Sequence, residues 1–309
     1  MPRLLVLSVE PAKTPNQEWI DPYQKRLIEA AITCQGWRVR SADYHPSSIA
    51  AVVEAASADL VLNLAYGYED RWQGILEQQP ETAERLETLG CRCIGAPSAS
   101  QRLAQDKLRT AEFLATHGIR SPRLLEPGRW PEGSDRAVLK PRYGAYHRGV
   151  RLVDRQDPQL AVAATSEDWL VQEYIDGPEY TVAVLERPED GTPEALSPVR
   201  IRFRGPSDAP AVMSWSDRRW LFTPDDSAQT ILGPVAERIF DLLGFRDYAR
   251  IDFRLGPEGP VLLDANALPG LHPAMGLVAI AANASGLDYH RLIWRLVQSA
   301  GRRYGIAGA

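Results

Sequence analysis

Asp252, Asp264 and Asn266 are the residues whose types and spacing point most directly to chemistry. They lie in Ala249-Arg-Ile-Asp252-Phe-Arg and Val261-Leu-Leu-Asp264-Ala-Asn266-Ala-Leu-Pro269-Gly270, on either side of Gly256-Pro-Glu-Gly259. Two strands joined as a hairpin across that turn bring the three side chains close. Asp264 and Asn266, two apart, project from one face. Two carboxylates and an amide oxygen form a hard, oxygen-only set suited to Mg²⁺, which leaves its remaining positions to water or phosphate. The alternative is a solvated hairpin with a turn-forming Asn before Pro-Gly. The apolar neighbours Ile251, Phe253, Leu262 and Leu263 argue against carboxylates that merely face water, so the metal reading is preferred.

Two further segments carry weaker signals. Arg136-Ala-Val-Leu-Lys140-Pro-Arg-Tyr-Gly144-Ala-Tyr-His147-Arg-Gly149 reads as a strand ending in a cation, followed by a loop with two glycines. Such a lysine can neutralise phosphate oxygens while glycines admit backbone N–H groups to them, although an ordinary hairpin has the same pattern. Val171-Gln172-Glu-Tyr174-Ile175-Asp-Gly177-Pro178-Glu179-Tyr-Thr-Val182 reads as two strands about a Gly-Pro turn. A strand edge there can receive an adenine and a carboxylate a ribose diol; a plain turn is the alternative. His272 is open between a substrate contact and a surface turn. Arg202, Arg204, Arg218 and Arg219 flank Trp215 and Trp220 and are read as including a phosphate or carboxylate contact. Cys91 and Cys93, two apart on a strand, are not expected to be reactive.

The elements that must position these residues follow from patterning. Arg3 to Val9 is a nearly continuous apolar run, as in a strand buried on both faces of a parallel sheet. Strand and helix signals then alternate: a helix through Tyr23 to Cys34 with Trp19 on the same periodicity, a strand at 37–42, a helix at 47–56, a strand at 59–65, a helix at 80–89 and a strand at 91–94. That alternation predicts an open, doubly wound α/β sheet. Gly95-Ala-Pro-Ser98 marks a boundary near residue 97, and one helix is expected over 98–117. Strands dominate from 136 to 204, a helix covers 225–243, and the hairpin and two helices, 273–284 and 289–304, complete an α+β remainder.

The chain has 309 residues, with 35 Lys and Arg against 40 Asp and Glu, a net charge of −5. This slight acidity argues against a nucleic-acid surface. The longest apolar runs, Leu4–Leu7 and Leu277–Ala282, are far short of a membrane span, and the start lacks the regions of a signal peptide. Three cysteines without CxxC spacing disfavour a disulfide framework or zinc site. A cytoplasmic α/β protein with no membrane or nucleic-acid partner is expected. No GxGxxG follows Val9, which disfavours a dehydrogenase.

Taken in order after Asp106-Lys107, these segments resemble the ATP-grasp superfamily, and within it the D-alanine–D-alanine ligase-like carboxylate–amine ligases. The resemblance extends over nearly the whole chain. In the first domain, Tyr66-Gly-Tyr-Glu69-Asp70-Arg-Trp-Gln73-Gly74-Ile-Leu-Glu77 is similar, with gaps, to the family's His-Gly-x-x-Gly-Glu-Asp-Gly-x-x-Gln-Gly. The resemblance implies an α/β domain (1–97) and two α+β ATP-grasp subdomains (98–171 and 172–309) that sandwich ATP. It implies that Lys107 and Lys140 contact ATP phosphates, that Gln172, Glu173 and Ile175 line the adenine slot, and that Glu179 holds the ribose. Asp252, Asp264 and Asn266 would bind Mg²⁺, and Arg250 would face the acyl phosphate, acting with Lys140 in catalysis. Gly270, His272, Met275, Tyr66 and Glu69 would meet the substrates, an amino acid and a small carboxylate. A homodimer is also implied.

The departures from the family pattern fall on the substrate side. Where the D-alanine enzymes carry Gly-Gly-x-Ser-x-Glu after strand one, this chain has Ser8-Val-Glu10-Pro-Ala-Lys. Their Gly-Ser-Ser loop becomes Ala145-Tyr146-His147, and their Ser-Leu pair aligns with Met275-Gly276. The expectation is therefore a ligase making a dipeptide, cycloserine-like or mycosporine-like product in secondary metabolism. The rivals are an authentic D-alanine–D-alanine ligase and a nucleotide-binding regulatory module.

Overall fold

The computed structural model describes residues 1–14, 20–125, 136–144, 149–163, 165–203 and 220–308. Trp19, the loop at 145–148 and the segment 204–219, which holds Arg204, Trp215, Arg218 and Arg219, lie outside the described residues.

Arg3–Ser8 (β1), Arg38–Asp43 (β2), Leu60–Asn63 (β3) and Cys93–Ile94 form a parallel sheet in the order β2-β1-β3, with Cys93–Ile94 at the far edge. The unbroken apolar run of β1 has a simple cause, since both faces of the sheet are covered. Leu4 and Val6 face Ile28 and Ile32 of Pro22–Thr33 (α1), whereas Leu5 and Leu7 face Ile49 of Ile49–Ala56 (α2) and Leu86 of Gln79–Thr88 (α3). The first face is completed from the other end of the chain. Leu292 and Leu296 of the last helix, Tyr289–Tyr304, join the same core. Between β3 and α3, Gly67–Asp70 (β4) and Ile75–Gln78 (β5) form a hairpin that the sequence pattern did not suggest.

The single helix expected over 98–117 is two helices, Ser98–Gln105 (α4) and Lys107–Ala115 (α5). The break is at Asp106, whose backbone is extended at φ −87 and ψ 92 and whose carboxylate caps α5 through Arg109 N–H. The same carboxylate receives Arg142 Nε and Nη2, both at 2.8 Å. That bidentate pair ties the start of α5 to the end of strand Arg136–Pro141 (β6), so Lys107 and Lys140 come to one place. β6 is central in a three-stranded antiparallel sheet, between Arg151–Asp154 (β7) and Trp169–Glu173 (β8).

The remaining sheet is antiparallel. Its main path runs Trp220–Pro224, Val199–Phe203, Glu179–Glu186 (β9), Tyr248–Gly256 (β10) and Gly259–Asn266 (β11). Gln229–Leu242 (α6) packs Leu232, Ala236 and Ile239 on Val182, Val184 and Ile251. The helix expected from Pro273 starts later, at Leu277, because His272 holds residues 273–275 in a turn. Among the described residues no helix is long and apolar enough to cross a membrane.

A buried charge cluster joins these layers. Asp247, fully buried and left-handed at φ 61, accepts from Gly95 N–H at 2.6 Å and from Arg303 of the last helix at 2.7 and 2.9 Å. Glu186 adds a longer contact to Arg303, at 3.3 Å. Burial, and then the Asp247 charge, push the Glu186 carboxyl up to about 6 from 4.5. A carboxyl raised in the folded state takes up a proton on folding, so its contribution is present below 4.5 and is lost as pH rises through 6. Glu186→Gln is expected to remove that loss, which is about 2 kcal/mol across the window. Urea unfolding at pH 4.5 and 7 checks this: the variant should gain stability relative to wild type at the higher pH, and an unchanged difference would refute it.

Candidate active site

Two adjoining cavities share one wall, formed by Lys107, Tyr143, Gly144, Arg250, Asp264 and Asn266. The first lies between the two antiparallel sheets and is also lined by Lys140, Gln172, Glu173, Ile175, Glu179 and Asp252. The second, about 800 Å³, reaches the α1 and α3 ends of the parallel-sheet layer and is lined by Tyr66, Gly270, His272 and Met275. Glu69 is absent from both linings; its carboxylate pairs with Arg71 at 2.7 Å.

At the shared wall, β10 and β11 pair Asp252 with Asp264 and Arg250 with Asn266. Asp252, only 5% exposed, accepts from Thr181 Oγ1 at 2.6 Å, from Arg250 Nε and Nη2 at 3.0 and 2.9 Å, and from Asn266 Nδ2 at 3.2 Å. Among the described residues no three His, Cys, Asp or Glu side chains cluster as a metal site. The donors present are two carboxylates in register and one amide. Such a set fits a hard divalent ion whose other ligands come from phosphate or water, and it fits neither zinc nor a soft metal.

Lys140 sits 7% exposed beside this set, its Nζ donating to Leu263 O at 3.0 Å. Burial pulls the ammonium down to about 8, Asp264 supports its charge, and Lys107 opposes it. Lys107 Nζ donates to Gly144 O at 2.7 Å, at the start of the glycine loop. Two ammonium groups and a guanidinium against two carboxylates give the wall mixed charge, able to hold anionic oxygens and a cation together.

The far end of the first cavity holds two carboxylates, each paired with an arginine. Gln172 is buried, with Nε2 donating to Pro122 O at 3.4 Å, and the Glu173 carboxylate is taken by Arg123 at 2.7 Å. Glu179 is paired with Arg254, which sequence reasoning missed. Arg254 is 6% exposed; its Nε and Nη2 donate to Glu179 Oε2 at 3.2 and 3.0 Å, and its Nη1 donates to Ile175 O at 2.9 Å. Its guanidinium also lies 4.6 Å from the Tyr174 ring centroid. The crossing needs Gly177, at φ 135, because a Cβ there would stand 2.2 Å from Leu255 O.

Residues 104–269 match the family profile of the ATP-grasp domain, which is more than half of the chain. The chain belongs to the ATP-grasp family. Within it the chain is D-alanine–D-alanine ligase-like. It is 31% identical over 235 residues to a D-alanine–D-alanine ligase of Nitratidesulfovibrio vulgaris, covering 69% of this chain and 73% of the relative. It is 29% identical over 276 residues to an uncharacterised protein of Sinorhizobium fredii, covering 82% and 79%. The D-alanine–D-alanine ligase of Bacillus anthracis, solved with ATP, superposes at a TM-score of 0.70 over 99% of both chains, with 18% identity. Membership carries the reaction class, ATP-dependent formation of a C–N bond.

Lys140→Ala tests whether this ammonium meets the ATP phosphates, where it would act in ground and transition states alike. We expect a higher KM for ATP and a lower kcat, together about 10- to 100-fold in kcat/KM, the worth of one charge-assisted hydrogen bond. Steady-state kinetics with ATP varied checks this; a change in amino-acid KM alone would move Lys140 away from the phosphates.

Proposed function

We propose that the chain couples an amino acid to a small acceptor through an acyl phosphate, with Lys107, Lys140 and Arg250 holding the transferring phosphoryl group. The observation that carries this reading is the shared wall. Cations and oxygen donors line the wall shared by a narrow cleft and a larger cavity. Gln172, Glu173, Ile175 and Glu179 would take the adenosine, and Asp252, Asp264 and Asn266 would hold Mg²⁺. A magnesium ion there supplies positive charge to the phosphate oxygens. The expected division at 1–97, 98–171 and 172–309 puts each cavity at a junction, where closure can exclude water. Its second boundary must move past Glu173, because strand β8 continues to that residue.

The family's sequence of steps accords with those positions. A substrate carboxylate oxygen attacks the γ-phosphorus, the bond to the bridging oxygen breaks, and ADP leaves. The amine nitrogen then attacks the acyl carbon, loses its proton, and expels phosphate. Arg250, at the boundary, is the donor for charge that develops on the carbonyl oxygen. Lysines, an arginine and a divalent ion would suffice for phosphoryl transfer because it is chiefly positioning and charge neutralisation.

The departures on the substrate side favour a product other than D-alanyl-D-alanine: a dipeptide, cycloserine-like or mycosporine-like compound of secondary metabolism. Met275 lines the substrate cavity at 61% exposed, so an apolar thioether stands where the family has a hydroxyl. Authentic D-alanine–D-alanine ligation is the second reading, supported by relatives of that name. A cytoplasmic homodimer accords with both. Incubation with ATP, Mg²⁺ and amino acids should yield ADP and phosphate, and hydroxylamine should trap the activated carboxylate as a hydroxamate. AMP and pyrophosphate would exclude the mechanism, and a product with the mass of two alanines less water would select the second reading.

A further inference from the structure

Lys107 and Lys140, the ammonium groups of the first cavity, carry like charges on separate elements: Lys107 is the first residue of α5, and Lys140 lies one residue before the end of β6. Burial is the main cause that draws the Lys140 ammonium down, and the Lys107 charge adds to it. Two cations that oppose each other need a fixed frame if they are to stand close before any anion joins them.

That frame is built from the residues beside them. Asp106, 4% exposed, directly precedes Lys107, and Arg142 follows Lys140 by two. Asp106 Oδ1 accepts from Arg109 N–H at 3.2 Å and from Arg142 Nε at 2.8 Å. Its Oδ2 accepts from Arg142 Nη2 at 2.8 Å and from the Tyr143 hydroxyl at 3.1 Å. The backbone adds Lys107 N–H to Arg142 O at 3.2 Å, and Lys107 Nζ donates to Gly144 O at 2.7 Å. Each of Arg142, Tyr143 and Gly144 is thereby bonded to Asp106 or Lys107. A carboxylate that served α5 alone would need only the Arg109 N–H, whereas the other bonds of Asp106 cross to the Lys140 side. The two Arg142 donors meet different oxygens, so the pair fixes angle as well as distance, which a lysine could not do. Neither Asp106 nor Arg142 lines either cavity, so any effect on a bound anion runs through the groups that they hold.

We propose that Asp106 is a positioning residue that, through Arg142, sets the spacing of Lys107 and Lys140 to suit a polyphosphate chain. The inference rests on the ligase reading above and deepens it. In that reading ATP brings its own oxygens to both ammonium groups, which the fork at Asp106 has already arranged. Lysines released from that frame would still attract an anion, but each would lose more freedom on holding it. The effect is therefore confined to the phosphate part of the ligand: ATP feels it, and adenosine, which has no phosphate, does not.

The test is calorimetric titration of the full chain with ATP and Mg²⁺, and separately with adenosine. Asp106→Asn keeps the shape of the side chain and the cap on Arg109 N–H, but sets an amide donor against the donors now received by Oδ2. It should weaken ATP by about tenfold, the worth of one charge-assisted hydrogen bond, and leave adenosine within about twofold. Arg142→Met should do the same without touching the cap on α5, and Arg142→Lys, which keeps the charge and loses the fork, should fall between it and wild type. On a Lys107→Ala background Asp106→Asn should add less than about twofold, because the spacing that it sets is already gone. Equal losses for ATP and adenosine, ATP affinity unchanged in both Asp106→Asn and Arg142→Met, or a full further loss on the Lys107→Ala background would each overturn the inference. The ligase reading fails separately, if wild type itself shows no binding of ATP with Mg²⁺.

Discussion

Asp264→Asn is expected to lower kcat by about a hundred- to a thousandfold, the usual consequence of removing a preorganised charge from a phosphoryl-transfer site. Two effects add. Asp264 is one of only two carboxylates in the oxygen set, so its loss weakens any divalent ion held with Asp252 and Asn266. It is also the charge that supports the Lys140 ammonium, already drawn down to about 8 by burial. Without it that ammonium falls further, and a fraction of the enzyme has a neutral amine at the shared wall at assay pH. The two contributions separate by titration: the first part of the loss responds to added Mg²⁺, the second to lower pH. Stability should stay within about 1 kcal/mol, because relief between the register partners Asp252 and Asp264 offsets the lost attraction. Near-normal turnover at saturating Mg²⁺ and pH 7 would remove Asp264 from the site.

How much of this was legible beforehand depended on range along the chain. The hairpin was readable from its short turn, but the Asp252–Asp264 pairing was not. The register set at Gly256 and Gly259 would put Asp252 opposite Leu263, and a bulge between Asp252 and Phe253 shifts it to Asp264. Strand β1 was readable because burial on both faces leaves an unbroken apolar run, Leu4 to Leu7. The division of 98–117 was not, since it depends on Arg142, a partner beyond the local window that rewards a break at Asp106. Asp21 and His272 meet at 3.1 Å although most of the chain separates them, and nothing in either segment alone points to the other. Glu69 illustrates the reverse: a gapped motif brought it into the substrate set, yet the β4–β5 hairpin directs its carboxylate to Arg71. Arg254 lay in plain view two residues after Asp252, but its meaning depends on β9 pairing beside β10, which puts Glu179 opposite it.

Arg254→Met is expected to cost about 3–5 kcal/mol of stability and to weaken ATP binding by at least about tenfold. Methionine keeps most of the side chain's bulk, so the loss is one of charge and donors and not of volume. Glu179 is buried and both close bonds from Arg254 fall on Oε2, so in the proposed placement Oε1 would be the oxygen that takes the ribose hydroxyls. Removing the guanidinium leaves an unpaired buried carboxylate, which takes up a proton or turns away, and Ile175 O loses its donor at the same time. Adding Glu179→Gln should recover much of the stability, because a neutral amide in that place carries no unpaired charge. It should not recover ATP affinity, since the amide has lost the carboxylate's grip on the diol. Chemical unfolding and calorimetric ATP binding across the four proteins of this cycle give both quantities, with 2′-deoxy-ATP as a second ligand. Wild type should prefer ATP over the deoxy form, and both single variants should lose most of that preference. If Arg254→Met kept it, Arg254 would be a strut of the β9–β10 pair with no hold on the orientation of Glu179, and the ribose would have to be sought elsewhere in the cleft.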